Sequence, residues 1–187
     1  IKWHEGVNSQ KDLGKDSKDK WLGKNVVVAT HNRDKDFNEP LNTAQFDVYL
    51  ESCHDGPSAT FYGNTVAADI DKGGVLSPGL YSAVSGHRSK AKYANETALL
   101  IGGGGLLPSE KPNPRHSNRR EMDGIFLHSG NPYQASLFDS KGNAYSTGCQ
   151  TTGCGPNTAT NRGASNHEIF KAAVGNNFRG NYYLRGR

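Results

Sequence analysis

The sequence predicts a mainly β domain with one or two short helices, and three observations carry that expectation. Apolar and β-branched residues gather in short blocks bounded by turn residues, at 26–30, 46–50, 59–62, 65–68, 79–84 and 98–101. The chain of 187 residues contains 23 Gly and a single Met, a composition that favours short strands joined by turns over long helices. One segment alone has convincing helical periodicity. It covers 166–174, with Ser165 as N-cap candidate, Glu168 three residues on, Ile169, Phe170, Ala173 and Val174 on one face, and Gly175 closing it.

The elements follow in order along the chain. Residues 9–20 read SQKDLGKDSKDK, with alternating charges and one Leu, so residues 1–24 are expected to be a charged, solvated segment whose ends Trp3 and Trp21 pin to the body. Residues 25–187 then form one domain. The start at Ile1, without Met, suggests a processed protein or an expressed fragment, so an export signal would lie outside the sequence. Gly63-Asn64 reads as a tight hairpin turn, because both residues tolerate positive φ. The run Gly102–Gly105 should end the strand at 98–101; no Lys-Ser/Thr follows it at the spacing of a phosphate loop. Residues 106–122, with three prolines, read as a long loop rimming a site. GIFLH, ending at His128, has the character of a buried strand, and 182–184 is a further short strand.

Charge and cysteine content narrow the function classes. The formal charge of +4 comes from 22 basic and 18 acidic residues, with no basic face interleaved with aromatics, so nucleic-acid binding is not expected. A modest positive surface suits an anionic wall polymer or a carboxylate-rich peptide. No run approaches the roughly 18 apolar residues of a membrane span. Cys53, Cys149 and Cys154 cannot all pair within one chain, which leaves at least one thiol needing a chemical explanation.

That explanation starts from the stretch 124–155, where a strand ends in His128 and seventeen residues separate it from Ser146-Thr147-Gly148-Cys149. A stiff strand gives the imidazole a fixed place, and a small residue before the cysteine lets a carbonyl substrate approach the backbone. A free thiol, with a pKa of about 8.5, needs a base within hydrogen-bond reach to become a nucleophile at neutral pH. His128 would withdraw that proton and later return it to a leaving amine. The N–H groups of Gly148 and Cys149 would hold the oxyanion. Other readings of the same residues stay open: Cys149 as a small core residue and His128 as a satisfied core histidine, or a zinc site built from His116, His128, Cys149 and Cys154. A disulfide of Cys154 with Cys53, or with Cys149 so that it caps the nucleophile, also stays open.

His128, Ser146, Gly148 and Cys149 together resemble the signature of the L,D-transpeptidases with the YkuD-type catalytic domain, in which a strand-end His precedes Ser/Thr-His-Gly-Cys. Gly79-Leu80-Tyr81 resembles that family's G-x-Y strand, and the helix near Phe170 followed by 182–184 resembles its C-terminal helix and strand. Thr147 stands where the family has His, and Gln150-Thr151 stands where it has an apolar residue and Arg. The chain is therefore read as a divergent member.

The resemblance implies a β-sandwich-like domain whose cysteine takes an acyl group from a peptidoglycan stem peptide and passes it to an amine or to water. Catalysis would fall to Cys149 and His128, aided by Gly148, Thr147 and Ser146. Ser129, Gly130, Gln150, Tyr62, Arg115 and Arg119 would bind substrate, the two arginines by clamping carboxylates. It implies no cofactor, a periplasmic or secreted location, and an immunity or delivery protein as partner if the chain acts as an antibacterial effector. The alternative is a catalytically silent module that uses the same cleft to hold peptidoglycan or a protein.

Overall fold

Short apolar blocks become most of the strands. A computed structural model describes residues 25–31, 44–50, 57–66, 69–86, 96–130, 141, 146, 148–152 and 163–186. The first strands are β1 (Asn25–Thr30), β2 (Ala44–Tyr49) and β3 (Ala59–Asn64). A one-turn helix α1 (Ile70–Gly73) leads to β4 (Gly79–Gly86) and β5 (Ala98–Ile101). A 3-10 turn at Gly102–Gly104, with all three residues at positive φ, ends β5 as the glycine run predicts.

The segment expected as a rimming loop is instead a hairpin, β6 (Leu107–Asn113) and β7 (Arg119–Met122), joined through a 3-10 turn at Pro114–His116. Then come β8 (Phe126–Ser129), β9 (Gln150–Thr152), α2 (Gly163–Val174) and β10 (Arg179–Arg185). Helix α2 starts ahead of the expected N-cap, so Ser165 lies within its first turn. Residues 65–66, expected to open a strand, form a bend, and 67–68 lie outside the described residues. The charged segment 1–24, Cys53 and Cys154 lie outside them as well.

Eight strands close into one barrel in the order β1-β10-β4-β5-β8-β9-β3-β2, while β6 and β7 form a separate two-stranded sheet, with β6 bridging Leu76 through Ser109. The mainly β class with two short helices is as expected, but a single closed sheet stands where the resemblance implied two facing sheets. Two of the pairings are parallel, β1 with β10 and β8 with β9; the other six are antiparallel. Closure leaves the barrel sheet without a free edge.

Inward residues fill the barrel. Val27, Phe46, Phe61, Leu127, Tyr182 and Leu184 share one core cluster. Within it Phe46 stacks on Phe61 at 5.1 Å. Helix α2 closes one end, sending Phe170 edge-on against Phe61 at 5.4 Å. Leu107 and Met122 of the hairpin bring the same core to the opposite end. A second cluster, Val26, Val28 and Tyr183 with Tyr49 and Leu80, sits on the outer wall, because these residues alternate with the inward ones. Among the described residues no helix is long and apolar enough to cross a membrane.

Gly63-Asn64 is not a turn. Both residues belong to β3, where Gly63 pairs with Ala44 and Thr152. A Cβ on Gly63 would lie 2.0 Å from the Thr151 carbonyl oxygen, so glycine is required by the close approach of β9 and not by a positive φ.

Candidate active site

The parallel pair β8–β9 assembles the site. Its register matches Leu127 with Gln150, His128 with Thr151 and Ser129 with Thr152. Leu127 belongs to the core, and Gln150 accepts a hydrogen bond from the buried Tyr182 hydroxyl at 3.1 Å, so both point into the barrel. Strand alternation puts Phe126 and His128 on the outer face of β8, and Cys149 and Thr151 on the outer face at β9. Cys149 therefore stands diagonal to His128 on a neighbouring strand. Diagonal neighbours on one sheet face lie about 7–8 Å apart, with their Cβ atoms somewhat closer.

The same alternation carries the face across β3, where Phe61 points inward and Tyr62 and Asn64 point outward. Asn64 pairs with Thr151. A polar row, His128–Thr151–Asn64, thus crosses three adjacent strands, and all three side chains are buried. Tyr62, two residues along β3, lies on the same face and is partly exposed.

The Cys149 side chain is partly buried. Phe126 donates its backbone N–H to Sγ at 3.5 Å, and the thiol faces the Gly124 carbonyl at 3.8 Å. The Ser146 hydroxyl donates to the Cys149 carbonyl at 3.0 Å and accepts the Gly148 N–H at 3.4 Å, clasping the turn that presents the thiol. The Gly148 N–H, expected in an oxyanion hole, is thus engaged by Ser146. Gly148 is also wedged against α1 and the hairpin: a Cβ there would meet the Gly73 carbonyl and the Met122 methyl at 3.3 Å. Thr147 lies outside the described residues.

His128 is 1% exposed, and its Nδ1 is 2.6 Å from the Ser129 carbonyl. A carbonyl only accepts, so Nδ1 carries the hydrogen and Nε2 holds the lone pair that a base requires. Ser129 and Gly130 serve the strand end, Ser129 Oγ donating to the Gly130 carbonyl at 2.9 Å and Gly130 N–H to the Thr152 carbonyl at 2.9 Å.

Gln150 requires a correction. Its side chain is 0% exposed inside the barrel, so its amide braces the core against Tyr182 and does not meet substrate. Arg115 and Arg119 are exposed at the turn of the hairpin; Arg119 Nε pairs with Glu121 at 3.3 Å. The hairpin is linked to the thiol through its exit, where His116 Nε2 meets Asp123 Oδ1 at 3.2 Å, one residue before Gly124. Of the zinc alternative's residues, His116 is turned to Asp123 and Cys154 lies outside the described residues; among the described residues no group of three or more His, Cys, Asp or Glu is placed to hold a metal.

Sequence reading missed Asn64 and Thr151 as members of this face, and Phe126 as a donor to the sulfur. The pattern Gln150-Thr151-Thr152 carries no apolar alternation that would reveal a strand. Behind the site, burial raises the pKa of Tyr182 well above its ordinary value, so it stays a neutral hydroxyl donor to Gln150. His167 on α2 contacts Thr152 Oγ1 at 3.0 Å and has its pKa lowered, mainly by burial and then by Lys171.

Fold and site together define a class: a β barrel presenting a cysteine and a buried imidazole on one outer face of adjacent parallel strands. No protein-family model, no curated protein and no solved structure matches the chain.

Proposed function

We propose that the chain is a cysteine acyltransferase of the bacterial cell envelope, a divergent relative of the L,D-transpeptidases acting on peptidoglycan stem peptides. One observation carries the reading: the β8–β9 register that sets Cys149 diagonal to His128, whose Nδ1 is committed to the Ser129 carbonyl. His128 Nε2 takes the thiol proton, and the sulfur attacks an amide carbonyl of the stem peptide. The tetrahedral intermediate collapses, the C–N bond breaks, and His128 returns the proton to the leaving amine. An amine or water then resolves the thioester, giving cross-linking, exchange or trimming.

Tyr62 on the same face, with Arg115 and Arg119 on the hairpin, would receive the peptide and its carboxylates. Ser129 and Gly130 would shape the floor beside the base. Such an enzyme works in the periplasm or after secretion, and as an antibacterial effector it would have an immunity or delivery partner. Incubating wild type and Cys149→Ala with tetrapeptide- and pentapeptide-bearing muropeptides, and following products by mass spectrometry, tests the proposal. Cys149-dependent products support it; identical muropeptides before and after incubation with wild type refute it.

The near-complete burial of His128 favours one second reading, a silent module that keeps the face for binding. Iodoacetamide discriminates: an activated Cys149 labels faster than Cys53 and Cys154, whereas a silent module shows no such preference.

A further inference from the structure

Thr151 lies two residues beyond the thiol on the same outer face and is matched directly with His128 in the parallel register. Its backbone is fixed from both sides, by β8 and by β3, and the absence of a side chain on Gly63 lets β3 press against its carbonyl. The side chain is 3% exposed, yet its Oγ1 has no hydrogen-bond partner among the described residues. The neighbouring hydroxyls differ. Ser129 Oγ binds the Gly130 carbonyl, Ser146 Oγ the Cys149 carbonyl, and Thr152 Oγ1 the His167 ring. A buried hydroxyl without a partner is disfavoured in a folded chain, and Val would fill the same volume without that penalty.

We infer that the Thr151 hydroxyl binds the acyl acceptor, the water or primary amine that releases the acyl group from Cys149; the inference rests on the acyl-transfer reading above. The hydroxyl oxygen accepts one hydrogen of the acceptor and holds it beside His128. A second acceptor hydrogen passes to His128 Nε2 as the acceptor's lone pair bonds to the thioester carbonyl carbon. The C–S bond then breaks, and the departing sulfur recovers the proton from His128. The first half-reaction, in which the acyl donor's own leaving group occupies the acceptor position, does not need this hydrogen bond. Thr151 therefore separates deacylation from acylation.

The full chain, with p-nitrophenyl acetate as donor and water or glycinamide as acceptor, provides the test. Wild type, Thr151→Val and Thr151→Ser are compared by p-nitrophenolate burst, intact mass of the acetyl-enzyme, steady-state rate and the ratio of acetylglycinamide to acetate. Thr151→Val is expected to keep the burst within about twofold, to slow turnover at least about tenfold and to accumulate the acetyl-enzyme. Its thermal midpoint should not fall, since the hydroxyl it loses has no partner. Thr151→Ser, which keeps the oxygen, should stay within about threefold of wild type on every readout. Turnover of Thr151→Val within about twofold of wild type, or burst and turnover falling together, overturns the inference. A collapse of its thermal stability overturns it too, by assigning the hydroxyl to the fold. Wild type that forms no acetyl adduct on Cys149 brings down the acyl-transfer reading itself, a result distinct from an adduct that resolves normally in Thr151→Val.

Discussion

Phe126 gives its backbone N–H to the sulfur of Cys149 across 3.5 Å, so the strand that carries His128 also grips the thiol. A hydrogen donated to sulfur supports negative charge there as the proton leaves. Replacing Cys149 by Ala should therefore remove acyl transfer, by at least about a thousandfold. The replaced group is small and partly exposed, so the thermal midpoint should stay near that of wild type. Muropeptide products and a thermal melt check the two halves.

His128 Nδ1 donates a hydrogen bond to its neighbour's carbonyl, which an amide can imitate. His128→Asn should keep the strand end intact while losing the base, lowering the rate about 10²- to 10⁴-fold. Circular dichroism and the rate of thioester formation measure this. A variant that turns over like wild type would remove His128 from the mechanism.

Acidification should loosen α2. His167 has a folded-state pKa below its ordinary value of about 6.5, through burial first and Lys171 second, opposed by Glu168. The unfolded chain then binds more protons than the folded one at mildly acid pH. The His167 contribution is fully present above about 6.5 and is lost as pH falls through and below that value. Melts from pH 7 to pH 5 should show a larger drop in wild type than in His167→Asn, which keeps a partner for Thr152.

Gln150 and Tyr182 form a polar pair inside an apolar barrel. Removing one partner strands the other: Gln150→Leu or Tyr182→Phe alone should each cost about 1–3 kcal/mol. The double variant should cost less than the two single changes added together. A double-mutant cycle from urea unfolding gives the coupling, and simple additivity would contradict the pairing.

Gly63→Ala should weaken both fold and site. The new methyl would meet the Thr151 carbonyl oxygen at 2.0 Å, so β3 and β9 must separate. A loss of several kcal/mol is expected, about the size of other buried clashes. Activity should fall further than the melt alone explains, because Thr151 moves with its strand.

Several elements were readable because burial writes a pattern. Short apolar and β-branched blocks announced β1, β2, β4, β5 and β8, and the spacing of Phe170 and Val174 announced α2. Other elements had no such mark. Strand β9 is made of Gln and Thr, buried on both faces, and carries no contrast between inside and outside. Pro108 and Pro112 within β6, and Pro114 in the turn after it, disguised the hairpin as a loop, although β6 pairs with no strand of the barrel and needs few ladder donors. Gly63 was misread because a glycine needed for close approach looks the same in sequence as one needed for a turn.

The site divides along the same line. Cys149 and His128 stood out by chemistry and spacing, and the pairing of their strands brings them to one face. Gln150 was expected at the substrate and sits in the core, because its direction depends on a strand whose existence the sequence hid. Asn64 and Thr151 are ordinary polar residues whose placement follows only from the β3–β9 register.

The seam that completes the barrel joins its first and last described strands, β1 and β10, in parallel. A nascent chain cannot make that seam until β10 has left the ribosome, and such distant pairings are won slowly. Until then β1 waits with one flank open to any passing strand. Cys149 emerges well before the seam closes, and an oxidant that reaches it in that interval meets an unfinished barrel.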